Sequence, residues 1–266
     1  MESETATSPA SEQPVALVTG GAVRVGRSIC EALARAGYAI LVHHNASTGD
    51  AAALADGLRS LGHAAVGLRA DLTRPRAAAE LTREVIGVFG RLDLLVNNAA
   101  LLVADDGDLG DLARMKVLNY DAPMALMDAA EPHLVGTRGS IVNVADVAGI
   151  RAYARHKAYS RTKAALLALT FRRALDLAPS GVRCNAVCPG TVLPAGSYDQ
   201  RRREHPVRDV PLGRLGDPAD VAQAVVFLAA APYVTGQALA VDGGWLLNML
   251  DDEEEGSGRE PGGWLN

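Results

Sequence analysis

Tyr159 and Lys163 stand four residues apart in the stretch Tyr159-Ser160-Arg161-Thr162-Lys163, and downstream Leu166, Leu169, Ala174 and Leu177 fall at the i, i+3, i+8 and i+11 spacing of one helical face. That period predicts a helix over about 152–178, with the phenol and the ammonium on one face, one turn apart. A free tyrosine titrates near pH 10, and an adjacent cation favours its phenolate, so Lys163 is expected to bring Tyr159 toward neutral pH. A donor tuned this way suits general acid catalysis. Taken alone, Tyr-x-x-x-Lys is weak, because an amphipathic helix with a solvated lysine reads the same. Just upstream, Gly139 to Val144 reads as a short buried strand, since Ile141, Val142 and Val144 are β-branched, and it leads to Asp146.

The elements that must position these groups alternate along the chain. Strands are predicted at 15–19, 38–43, 64–68, 92–96, 139–144, 182–187 and 238–241. Helices are predicted at 24–36, 50–61, 74–89, 109–134, 152–178 and 218–229. Gly37, Gly62 and Gly90 stop three of them. This alternation suits right-handed crossovers and a single-domain α/β fold, a doubly wound (Rossmann) parallel sheet over residues 14–248. Residues 1–13 read as a polar tail, about 191–216 as an irregular lid, and 249–266 as an acidic, solvated end.

The first strand runs into Thr19-Gly20-Gly21-Ala22-Val23-Arg24-Val25-Gly26, a turn that opens a helix. Glycines there let a pyrophosphate approach the helix N-terminus, where free N–H groups and the dipole favour anions. The second strand ends His43-His44-Asn45-Ala46-Ser47 with no carboxylate to bind a ribose 2′-hydroxyl. Arg24, with Ser47 and His43, is instead placed to meet a 2′-phosphate, so NADP(H) is expected rather than NAD.

Composition narrows the class. The 266 residues are 48% hydrophobic but only 4% aromatic, which suits helices packed on a parallel sheet. A net charge of −5 offers no global field for nucleic acid, and no apolar run is long enough for a membrane span. The first 13 residues carry three Glu and no apolar core, unlike a signal peptide. Cys30, Cys184 and Cys188 lack metal-ligand spacing and read as reduced thiols of a cytoplasmic protein.

Seven motifs then stand in order: Thr19-Gly20 with Gly26, Asp71, Asn97-Asn98-Ala99, Asn119, Tyr159-x-x-x-Lys163, Pro189-Gly190, and Val241-Asp242-Gly243-Gly244. Together they resemble the short-chain dehydrogenase/reductase family, over about residues 14–247. The resemblance implies that Asp71, beside Leu72, accepts from the adenine amino group. It implies that Gly20, Val25, Gly26, Asn98 and Ala99 hold the cofactor, and that Pro189, Gly190, Thr191 and Val192 border the nicotinamide. Lys163 would bind the nicotinamide ribose, and Asn119 would complete a proton relay with it through water. A homotetramer built on the helices around Asn119 and Tyr159 is likewise implied.

One departure bears on the substrate. The family usually has Ser thirteen residues before the Tyr, and here that position is Asp146. An ionised Asp repels a forming alkoxide but suits a nitrogen that needs a proton. This is similar to the pteridine reductase branch, as is Arg24 in the glycine turn, which there contacts both cofactor and pterin. Leu102 stands where that branch has a stacking aromatic. The basic residues Arg151, Arg155, His156 and Lys157, and Arg201, Arg202, Arg203, His205 and Arg208, suit either an anionic substrate tail or a solvated surface. The chain is therefore expected to reduce a pterin- or dihydrofolate-like C=N bond with NADPH. In that role Asp146, Tyr159, Lys163 and Asn119 are catalytic, and Arg24 and Leu102 join Asp146 and Tyr159 against the substrate. The alternatives are a carbonyl substrate (a 3-oxoacyl thioester or sugar ketone) or an idle NADP-binding sensor.

Overall fold

β1 (Val15–Val18) is buried at all its positions, as a Val, Ala and Leu run without polar alternation requires. It pairs in parallel with β2 (Ala39–His44) and with β4 (Leu94–Asn97). β3 (Ala65–Arg69), β5 (Ser140–Val144), β6 (Arg183–Pro189) and β7 (Ala238–Val241) complete one seven-stranded parallel sheet in the order β3-β2-β1-β4-β5-β6-β7. The order reverses between β1 and β4, which opens a crevice at the strands' carboxyl ends. This computed structural model describes residues 13–103, 105, 108–153, 156–192 and 210–251.

Alternate side chains of β1 feed two cores. Ala16 and Val18 meet α1 (Arg24–Arg35), α2 (Thr48–Ser60) and α7 (Pro218–Ala230), while Val15 and Leu17 meet α3 (Ala77–Phe89), α5 (Ala122–Thr137) and α6 (Lys157–Leu177). The doubly wound Rossmann sheet expected from the sequence is therefore the fold observed.

Three elements differ from expectation. The helix expected over 109–134 is α4 (Leu109–Lys116), a π-helical turn at Val117–Asp121, and then α5. The wider turn lets the Asn119 side chain leave the helix and bond the loop after β4. The helix carrying Tyr159 starts at Lys157, leaving Tyr153 in the loop before it. A short helix α8 (Trp245–Asp251), unforeseen in the sequence, follows β7. α8 runs into the start of the tail expected at 249–266, while most of the predicted lid, the rest of that tail, residues 1–12 and Arg155, Arg201, Arg202, Arg203, His205 and Arg208 lie outside the described residues. Among the described residues, no helix is long and apolar enough to cross a membrane and no cluster of His, Cys, Asp or Glu could hold a metal ion.

Candidate active site

Every predicted site motif lies at the carboxyl end of a strand or on a helix facing that edge. The turn after β1 is the best braced. Gly20 takes φ +60, and Thr19 Oγ1 accepts the backbone N–H groups of Asn98 and Ala99 at 2.9 and 3.0 Å. Asn98 Nδ2 returns bonds to the carbonyls of Thr19 and Gly20 at 2.8 and 3.1 Å. The Asn98 side chain thus fixes the turn itself.

A Cβ on Gly26 would stand 2.1 Å from the Gly20 carbonyl oxygen, so α1 packs on the turn as closely as glycine permits. No side chain caps α1, and its first turn holds no acid. Its free N–H groups and positive dipole end therefore suit a phosphate. Arg24 is exposed at this rim, close enough for its charge to favour ionisation of Tyr159. With no carboxylate ending β2, the cradle fits a dinucleotide bearing a 2′-phosphate.

His43 does not face outward from that cradle. Its Nδ1 accepts from the Gly20 N–H at 3.1 Å and its Nε2 lies 3.1 Å from the Ala70 carbonyl, which assigns the proton to Nε2. Burial holds its pKa down to about 4, so the ring is neutral and braces turn against loop. The sequence-based idea that it meets a 2′-phosphate is corrected: both nitrogens are already spent. Ser47 stands partly exposed just before α2, its hydroxyl making no cap bond, and remains available. Asp71 folds its carboxylate onto the N–H and hydroxyl of Thr73, at 3.0 and 2.7 Å, through one oxygen; these bonds lower its pKa. Leu72 behind it is buried.

At the centre of the crevice β5 delivers Asp146 to the face of α6. Tyr159 donates its hydroxyl to Asp146 Oδ2 at 2.8 Å, while Oδ1 accepts from the Ala148 N–H at 2.8 Å and from the Tyr153 hydroxyl at 3.1 Å. Lys163, 3% exposed, donates to the Val144 carbonyl at 2.9 Å and places its ammonium 5.6 Å from the Tyr159 ring centroid. Tyr159 and Lys163 do share one buried face. Burial lowers the lysine to about 8, with the Asp146 charge opposing that shift, so it remains mostly protonated at neutral pH.

The expectation that Lys163 makes Tyr159 acidic is not met in this arrangement. Burial, and then the charge and hydrogen bond of Asp146, hold the phenol well above its ordinary range. Burial likewise raises Asp146, against the Ala148 N–H, Lys163 and the two phenols. The pair is thus biased toward holding protons.

Asn119 is buried behind this centre. Its amide brackets the Leu101 backbone at 2.8 and 2.9 Å and donates to Thr162 Oγ1 at 3.1 Å, whose hydroxyl donates to the Tyr159 carbonyl. No direct bond joins it to Lys163. Leu102 is half exposed on the same loop. Pro189 ends β6, and a Cβ on Gly190 would stand 2.8 Å from that of Asp242. Thr191 and Val192 line up beside Gly216 at the opening of the lid segment.

Two residues escaped the sequence reading. Tyr153 reaches Asp146 from a loop without periodicity. Asp105, in the loop between β4 and α4, accepts the N–H groups of Lys157 and Ala158 at 2.9 and 3.0 Å and so caps α6. A carboxylate among polar loop residues was its only sequence signal.

Comparison with known proteins gives these positions a family. The model described as "Enoyl-(Acyl carrier protein) reductase" matches residues 21–246. An uncharacterized oxidoreductase of Mycobacterium tuberculosis is 36% identical, covering 90% of this chain and 95% of its own. An L-rhamnose 1-dehydrogenase (NAD(P)(+)) of a Sphingomonas strain is 32% identical over 90% of this chain and 98% of its own. A 3-oxoacyl-[acyl-carrier-protein] reductase of Staphylococcus epidermidis is 31% identical over 87% and 98%. Among solved structures, a blue fluorescent protein from a metagenomic library, in complex with NADPH, superposes with a TM-score of 0.82 at 32% identity, covering 87% of this chain and 97% of its own. With its parallel sheet, glycine cradle and buried Tyr–Lys pair, the chain belongs to the short-chain dehydrogenase/reductase family of oxidoreductases.

Proposed function

We propose that this protein is an NADPH-dependent reductase of a small molecule carrying a C=N bond, as in a dihydropterin or dihydrofolate. The bond between Tyr159 and the partly buried Asp146 carboxyl, 2.8 Å long, carries the reading. Bound NADPH supplies the hydride to the substrate carbon. Tyr159 supplies the proton to the substrate nitrogen, and the Lys163 ammonium offsets the phenolate left behind. Asp146, when ionised, accepts from a substrate N–H; when protonated, it passes its own carboxyl proton to the Tyr159 phenolate. A developing negative oxygen in the same place would be repelled by an ionised Asp146. The α1 N-terminus and Arg24 hold the phosphates, Gly190 to Val192 border the nicotinamide, and Arg24 with Leu102 covers the substrate.

A carbonyl or alcohol substrate is the second reading, favoured by the names of the rhamnose and 3-oxoacyl relatives. It requires a neutral Asp146, which burial favours. NADPH oxidation with 7,8-dihydrobiopterin against acetoacetyl thioester separates the two. Turnover of the pterin alone supports the first, and turnover of the thioester alone sinks it. Tyr159→Phe is expected to lose about 10²–10⁴-fold in rate while binding NADPH nearly unchanged. An unchanged rate would remove Tyr159 from the chemistry.

A cytoplasmic homotetramer joined through α5 and α6 completes the reading. Phe171 and Leu175, exposed on α6, support such a contact, and the described cysteines are free and buried. Light scattering on the purified chain reads the assembly directly.

A further inference from the structure

Tyr153 has no part in the reaction as set out above, yet its hydroxyl points into the reaction centre. A carboxylate oxygen offers two lone pairs. On Asp146, Oδ1 accepts from both the Ala148 N–H and the Tyr153 hydroxyl and is filled, whereas the bond described at Oδ2 comes from Tyr159 and uses one of its two lone pairs. Tyr153 is itself fixed at both ends. Its backbone N–H donates to Ser160 Oγ at 3.0 Å, and its ring meets Trp245 edge-on, centroids 5.9 Å apart at 74°. Ser160 is the neighbour of Tyr159 on α6, and Trp245 opens α8, so this one residue, by its backbone and its ring, joins two helices to the carboxyl.

We propose that Tyr153 is a positioning residue that occupies Oδ1 of Asp146 and so reserves Oδ2, the oxygen beside Tyr159, to hold the proton that restores the phenol after Tyr159 has protonated the substrate nitrogen. The inference rests on the reading that Asp146 faces the substrate. With Oδ1 occupied, the carboxyl cannot rotate without losing two hydrogen bonds, so the proton has a single seat, in contact with the phenol it exchanges with. A purely space-filling tyrosine would not need its hydroxyl on the carboxyl.

The groups facing this centre come from several elements: Tyr159 and Lys163 from α6, Cys188 from β6, Asp242 after β7, and Arg24 from the glycine turn. A donor to the ionised carboxylate favours the charged form, so removing it must raise the titration midpoint of Asp146. The test is a ¹³C NMR titration of the full chain labelled at Asp carboxyls, the Asp146 signal being the one that Asp146→Asn removes. In Tyr153→Phe that midpoint is expected to rise by about one pH unit. Replacing Tyr153 by 3-fluorotyrosine, a stronger donor of nearly the same shape, is expected to lower it. If Tyr153→Phe fails to fold, the fluorotyrosine protein carries the test alone. Midpoints that stay put, or move the same way in both proteins, overturn the proposal. The titration needs no substrate. A protein that shows both shifts but ignores dihydropterin therefore sinks the C=N reading while leaving the seat of the proton assigned.

Discussion

Arg24 holds a backbone conformation that its side chain disfavours. Its φ of +53 lies in the left-handed region, where a non-glycine residue pays roughly 1–2 kcal/mol, in a turn that has glycine at 20, 21 and 26 but not here. No hydrogen bond or ion pair to its guanidinium is found among the described residues, so no contact within them offsets that cost. A charge kept against backbone preference at the rim of a phosphate cradle argues for a partner brought by the ligand. Arg24→Gly relieves the strain but adds freedom to the unfolded chain, so stability should change by no more than about 1 kcal/mol. Loss of a charge-assisted bond should weaken NADPH binding by about tenfold or more. Fluorescence titration with NADPH and NADH separates the possibilities. If both weaken equally, the arginine serves the shared pyrophosphate and not the 2′-phosphate.

At the scale of elements, the turn between β1 and α1 tolerates the least change. Ala in a helix is ordinarily worth about 0.5–1 kcal/mol over Gly, but at position 26 the new methyl would overlap the Gly20 carbonyl and lie 2.7 Å from Asn98 Nδ2. Gly26→Ala should therefore destabilise by about 1–3 kcal/mol and part the helix from the cradle, weakening NADPH binding. A melting temperature and affinity equal to wild type would show that the turn relaxes freely. This junction was legible in the sequence because an apolar run, a glycine turn and a helical period lie within about twenty residues. Tyr159 and Lys163 were legible for the same reason, their spacing being local to one helix. The π turn at Asn119 was not, since widening a helix by one residue leaves the apolar pattern of the flanking turns intact. Nor was Tyr153, whose contact with Asp146 depends on the path of a loop. The sign of the Tyr159 shift was misjudged because burial and a neighbouring carboxylate are properties of the packed site, not of residue spacing.

For the whole molecule, His43 ties the cradle's integrity to pH. The neutral imidazole joins the Gly20 N–H to the Ala70 carbonyl, linking the loops after β1 and β3 through the end of β2. Its folded-state pKa of about 4 lies below the ordinary 6.5, so the unfolded chain binds the proton first on acidification. Stability from this residue is therefore fully present above pH 6.5 and is lost as pH falls from there toward 4. Between pH 7 and 5 the loss from this group should be about 2 kcal/mol. Asp146, whose pKa is raised in the fold, works in the opposite direction, adding stability as pH falls through its folded-state value. Urea unfolding of wild type and His43→Gln at pH 7 and pH 5 isolates the histidine, since the remaining titrations are common to both chains. The wild type should lose about 2 kcal/mol more than the variant over that interval. Equal losses would mean that the ring accepts a proton without breaking either bond, and that the cradle's acid sensitivity lies elsewhere.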